Sequence, residues 1–190
     1  MTKSILLVGV GGQGTILASK LLTIGLGQEG YDVKMSEIHG MSQRGGSVST
    51  QIRFGEQVNA PVIGLGEAEL IVAFEEEETY RWMKYLKPGG KVVMNKFRIP
   101  SSPMLTGDEV YPEGLIDEIS AKVETTVIPA SEEAAKLGSP QSMNIVLLGA
   151  LVKAMGLTDI DWEKIMKENT KPAFLEKNLQ AFRVGMDYLA

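Results

Sequence analysis

Short apolar runs rich in β-branched residues alternate along this chain with longer stretches whose apolar positions recur every three or four residues. The first run, Ile5 to Val10, is apolar on both faces, as a central strand buried between two helix layers must be. From about Gly14 the spacing changes, and Leu17, Leu21 and Ile24 fall on one helical face. Gly30-Tyr31-Asp32 turns the chain into a second strand near Val33 to Glu37. Strict alternation follows. Val48, Thr50, Ile52 and Phe54 share one face, and Ser47, Ser49, Gln51 and Arg53 share the other. That pattern predicts a half-exposed antiparallel strand near a sheet edge, with a polar face open to solvent or to a docking subunit. Gly55-Glu56 predicts a turn into a short return strand around Val58.

Leu70 to Phe74 reads as another buried strand. Glu75 to Leu86 reads as a helix stopped by Pro88-Gly89-Gly90, with the next strand at Val92 to Met94. Residues 97–112 carry three prolines and little periodicity, which predicts a long loop. A helix near Gly114 to Ile119 and a strand near Val123 to Ile128 come next. Helices are then predicted at Glu132 to Leu137, Ser142 to Met155, Trp162 to Lys167 and Phe174 to Leu189. Strands alternating with helices specify an α/β fold. The expected architecture is Rossmann-like: a mostly parallel sheet flanked by helices, with an antiparallel edge element and a helical C-terminal part. No internal repeat or linker divides it, so residues 1–190 are expected to form a single domain.

Composition narrows the functional classes. The net charge is -5 and no long basic run occurs, which argues against a nucleic-acid partner. The run ILLVGV is too short for a signal h-region or a membrane span, so a cytoplasmic protein without a membrane partner is expected. The 190 residues include no cysteine and one histidine. A thiol nucleophile, a cysteine-ligated iron–sulfur cluster and a multi-histidine metal site are therefore excluded on this chain. No carboxylate spacing suggests a magnesium site.

Two segments carry candidate chemistry. Gly9, Gly11 and Gly14 fit the G-x-G-x-x-G spacing after a strand and before a helix, with Gly12 and Gln13 between them. Such a loop brings backbone close to a ligand, and the helix N-terminus offers free N–H groups to an anion. The acid that a dinucleotide ribose needs is poorly supplied, because Asp32 lies at the wrong end of its strand and Glu37 enters an unusual loop. Glu75 to Glu78 also fall near the crevice beyond the strand ends. Acids there would repel a pyrophosphate, but in a first helical turn they complement the helix dipole. The second segment is SEIHGMSQRGG, residues 36–46. Arg44 is suited to clamp a phosphate or carboxylate, or to pair with an acid, while Ser42, Gln43, Gly45 and Gly46 add neutral donors. His39 has no partner base or nucleophile in the pattern, so no catalytic residue is assigned.

GVGGQGTILASKLL, SEIHGMSQRGGSVSTQIRFG and SPQSMNIVLLGAL together resemble the gamma-type subunit of the 2-oxoacid:ferredoxin oxidoreductases, most closely the small subunit of the indolepyruvate type. The resemblance covers nearly the whole chain. It implies an enzyme complex that decarboxylates a 2-oxoacid on thiamine diphosphate. Electrons then pass through iron–sulfur clusters to ferredoxin, and an acyl-CoA is released. It also implies that thiamine diphosphate and clusters sit on a large partner subunit, and that this chain contributes to holding coenzyme A. The residues agree with that division of labour. Gly107-Asp108 is followed by Glu109 and no Asn-Asn pair exists, so the thiamine signature is missing here. The alternatives left open are a free-standing Rossmann oxidoreductase using NAD or a flavin, and a purely structural assembly subunit.

Overall fold

The computed structural model describes residues 1–39 and 45–189. Six strands, β1 (Lys3–Val10), β2 (Asp32–His39), β3 (Ser47–Gly55), β4 (Ala68–Ala73), β5 (Leu86–Asn95) and β6 (Glu124–Ile128), form one sheet. Its order is β2-β3-β1-β4-β5-β6. β1, β4, β5 and β6 pair in parallel, whereas β3 is antiparallel to both β1 and β2. The antiparallel strand is thus the second from the edge, and β2 lies outside it.

Helices α1 (Thr15–Gln28), α5 (Ala130–Lys136), α6 (Met143–Met155), α7 (Trp162–Asn169) and α8 (Pro172–Asp187) pack on one side. There Ile5, Leu7, Ile52, Leu70, Val72 and Val93 of the sheet meet Leu21, Leu22, Val146 and Leu147. The alternation of the strands sends Leu6, Val8, Ile71, Val92 and Met94 to the other side, under α2 (Glu76–Trp82), α4 (Leu115–Ser120) and the segment 56–67. This two-layer burial is why β1 reads as continuously apolar. α6 is buried all round, as its composition predicts.

Five expectations change. The polar face of β3 is not open: Ser49 and Gln51 are buried, and segment 56–67 folds over its Gln51–Arg53 end. Gln51 accepts the Ile63 N–H at 2.6 Å and Arg53 donates to the Val62 carbonyl at 2.9 Å. The return strand at Val58 does not form; the Val58 N–H instead donates to Asp32 at 2.8 Å. Pro88-Gly89-Gly90 does not stop the chain but lies inside β5, whose register with β4 slips between Ala68 and Leu70 while Gly89 takes φ +76°. α2 closes at Trp82 into a 3-10 turn, Met83–Tyr85. The loop at 97–112 contains one short helix, α3 (Ser102–Thr106).

Candidate functional site

Each glycine of the first loop has its own reason. A Cβ on Gly9 would come within 2.9 Å of Phe74 Cβ and 2.8 Å of Gln13 Oε1, so that position is closed by packing. Gly14 takes φ +79° as the N-cap of α1, and a Cβ there would lie 2.5 Å from Asn144 Nδ2. Gly12 takes φ +103° with nothing within 4 Å of its would-be Cβ. It is the open floor of the loop, where backbone is bare toward a ligand.

Gln13 has a different job from the one its sequence position suggests. Its Oε1 accepts the Val10 N–H at 2.8 Å and its Nε2 donates to the Phe74 carbonyl at 2.8 Å. Asn95 Nδ2 donates to the same carbonyl at 3.1 Å. The crevice between β1 and β4, where a doubly wound sheet receives a pyrophosphate, is therefore laced by the chain's own amides. Gln13 thus braces the loop through both ends of its side-chain amide.

The second segment reaches the first through β3. Gly11 N–H donates to the Gly46 carbonyl at 2.9 Å and Gly45 N–H to the Gly11 carbonyl at 3.5 Å. Ser42, Gln43 and Arg44 lie outside the described residues. The loop, the first turn of α1 and the stem residues His39 and Val48 enclose a cavity of about 390 Å³, lined also by Gly11, Gly12, Gly14, Thr15 and Ile16. The N-cap of α1, Gly14, offers no side chain to cap it, and the first turn holds no acid. The first-turn amides therefore keep their partial positive charge for the cavity. Glu37 is spent elsewhere: its Oε1 accepts the Ser19 hydroxyl at 3.2 Å and its Oε2 lies 3.6 Å from His39 Nε2. Set on the edge strand, two strands from β1, it supplies no ribose lip.

Asn144 is a residue of the site that the glycine spacing does not point to. Its Nδ2 donates to the Gly14 carbonyl at 3.0 Å across 130 positions of chain. Asn144 also lines a second cavity, of about 350 Å³, on the far side of the first turn of α1. No local signal pairs Gly14 with Asn144; only packing of α6 on α1 does.

Glu76, Glu77 and Glu78 form the acidic first turn of α2 behind the N-cap Glu75, as expected, and Glu75, Glu76 and Glu78 are in addition buried. Glu75 is the N-cap of α2 and accepts the Glu78 N–H at 2.9 Å. It also accepts the Ile99 N–H at 3.1 Å and the Tyr111 hydroxyl. Tyr111 in turn accepts the Glu77 N–H at 3.0 Å. Arg98 Nε pairs with Glu76 at 2.8 Å and lies over the Tyr111 ring. The carboxylates thus clasp both ends of segment 97–111. Burial and the Glu75 carboxylate push the Tyr111 hydroxyl far above the usual tyrosine range. The bond to Glu76 raises Arg98. Among the described residues no group of three His, Cys, Asp or Glu could hold a metal ion, and no helix is long and apolar enough to cross a membrane.

The six-stranded α/β sheet carries a glycine loop that opens α1 and is stitched to the start of β3. The chain belongs to the pyruvate ferredoxin/flavodoxin oxidoreductase family, whose model matches residues 4–188. It is 35% identical to the indolepyruvate oxidoreductase subunit IorB of Thermococcus kodakarensis, over 96% of this chain and 94% of that one. It is 37% identical to the IorB subunit of Methanothermobacter thermautotrophicus, over 97% and 96% of the two chains. The fold matches the gamma subunit of a keto/oxoacid ferredoxin oxidoreductase from Geobacter sulfurreducens, with a TM-score of 0.72 at 23% identity over 98% of each chain.

Proposed function

We propose that this chain is the small subunit of an indolepyruvate-type 2-oxoacid:ferredoxin oxidoreductase. The complex would oxidatively decarboxylate indolepyruvate or another aryl pyruvate to the acyl-CoA and reduce ferredoxin. Thiamine diphosphate and the iron–sulfur clusters belong to the large partner subunit, since cofactors must supply that chemistry and this chain has no cysteine to bind a cluster. Membership of the family and the similarity to IorB subunits support this reading.

Within the complex, we infer that the glycine-loop cavity is this chain's share of the coenzyme A site. The single observation that carries this is the convergence of Gly12, the first turn of α1 and the strand residues His39 and Val48 on one cavity, beside the Gly45-Gly46 backbone that bonds Gly11. Bare backbone amides at a helix start suit the phosphates of coenzyme A, and Arg44, adjacent to Gly45 in sequence, is a residue type that can clamp a phosphate bidentately. The laced crevice between β1 and β4 argues against a free-standing dinucleotide enzyme.

The test is co-expression with the large subunit, followed by assay with 2-oxoacids, coenzyme A and ferredoxin. Gly12→Asp puts an anion on the open floor and is expected to raise the KM for coenzyme A by roughly tenfold or more, since like charges at a contact cost several kcal/mol. Assembly should be intact. An unchanged KM in both Gly12→Asp and Arg44→Ala complexes would reject the coenzyme A assignment.

A further inference from the structure

We propose that Glu78 is a positioning residue for the glycine-loop cavity; its kinetic consequence rests on the coenzyme A reading above, its structural one does not. Glu78 lies on α2 and is only 4% exposed. Its Oε2 accepts the Ser47 hydroxyl and the Trp82 indole N–H, the latter at 3.1 Å, while Oε1 meets Arg81 Nε at 3.1 Å. Ser47 opens β3 and directly follows Gly46, whose carbonyl receives the Gly11 N–H. A chain of contacts therefore runs from a carboxylate, through a hydroxyl and a strand entry, to an amide of the glycine loop.

Gly45 and Gly46 bring no side chains, so among the described residues their position is fixed by backbone bonds to Gly11, by the end of the ladder at Val10–Ser47 and by the Ser47 hydroxyl. Helix capping does not explain Glu78, because Glu75 already caps α2. A buried carboxylate is costly to dehydrate, and burial pushes the Glu78 carboxyl above its usual range against the pull of Ser47, Arg81 and Trp82. What that cost secures is a charge-assisted bond of fixed direction to the first residue of β3. Trp82 and Arg81 occupy two further acceptor positions and orient the carboxylate.

Amide hydrogen exchange of the full chain, read by NMR, tests this. In Ser47→Ala the Gly11 amide is expected to exchange roughly tenfold to hundredfold faster, the loss of a bond to a charged group. The Leu7 amide, in the middle of β1, should keep its protection. Ser47→Thr restores the hydroxyl and should restore protection at Gly11. Glu78→Gln keeps an acceptor but no charge, and should give an intermediate rate. Equal Gly11 protection in wild type, Ser47→Ala and Glu78→Gln overturns the proposal. In the assembled complex, Ser47→Ala should raise the KM for coenzyme A with kcat held. Faster Gly11 exchange without a KM change keeps Glu78 as a positioning residue and removes coenzyme A from the cavity.

Discussion

The crossing of α6 and α8 permits the sharpest stability prediction. A Cβ on Gly185 would stand 1.8 Å from the Val146 carbonyl oxygen, and one on Gly149 would stand 2.1 Å from the Phe182 carbonyl oxygen. Real Cβ atoms essentially never come within 3.0 Å of such an atom. Gly185→Ala must therefore open the crossing by more than an ångström. The obstacle is helical backbone, which has no rotamer to escape into, so α8 has to shift as a body. Overpacking of a close-packed core costs about 1–3 kcal/mol, and a carbonyl obstacle places this case at or beyond the top of that range. Alanine returns about 1 kcal/mol through helix propensity. The net expectation is a loss of about 2 kcal/mol or more, which for a chain of this size lowers Tm by about 4–8 °C. Gly27→Ala is the control: it lies in α1 with nothing within 4 Å and should gain about 0.5–1 kcal/mol. Urea unfolding followed by far-UV circular dichroism measures both. A Gly185→Ala chain within about 0.5 kcal/mol of wild type, at the same m-value, would refute the argument that the two backbones touch.

Three further outcomes are expected. Tyr111→Phe leaves the Glu77 N–H without its acceptor and should cost about 1–3 kcal/mol in urea unfolding; in ultraviolet titration of wild type, one tyrosine should fail to ionise with the exposed ones. Because burial raises the Glu78 carboxyl above 4.5, the native state binds that proton more tightly than the unfolded chain. Stability relative to Glu78→Gln should then rise as pH falls from the raised native value toward 4.5, and a flat difference across acid unfolding curves would contradict the burial. Gly14→Ala meets both a left-handed backbone and Asn144, so it should destabilise by about 1–3 kcal/mol, and a double-mutant cycle with Asn144→Ala should recover the steric part and leave the backbone part.

Much of the fold is legible because burial on two faces leaves no ambiguity. Ile5 to Val10 and the apolar girth of α6 specify their places directly. The polar face of β3 is different. Ser49, Gln51 and Arg53 alternate as solvated residues do, and nothing local says that segment 56–67 will bond Arg53 and answer Gln51 with a backbone N–H. Pro88-Gly89-Gly90 fails for a related reason, since a turn tripeptide and an irregularity inside a strand ask for the same residues. At the site, the glycine spacing locates the loop but not its division of labour. Gln13 looks like a ligand contact until its two bonds to Val10 and Phe74 are seen. The Gly14–Asn144 and Ser47–Glu78 pairs are 130 and 31 positions apart, and no periodicity encodes such distances.

The strand order also sets a schedule for the chain as it leaves the ribosome. β1 and β2 are made first, yet neither is the other's neighbour in the sheet. Both pair with β3. Until Ser47 to Gly55 has emerged, the two earlier strands have no ladder to join, and α1 has only part of its platform. The same nine residues bring Ser47 beside Gly46 and Gly11. During N-to-C synthesis, the first stable sheet and the wall of the cavity therefore arise in one step.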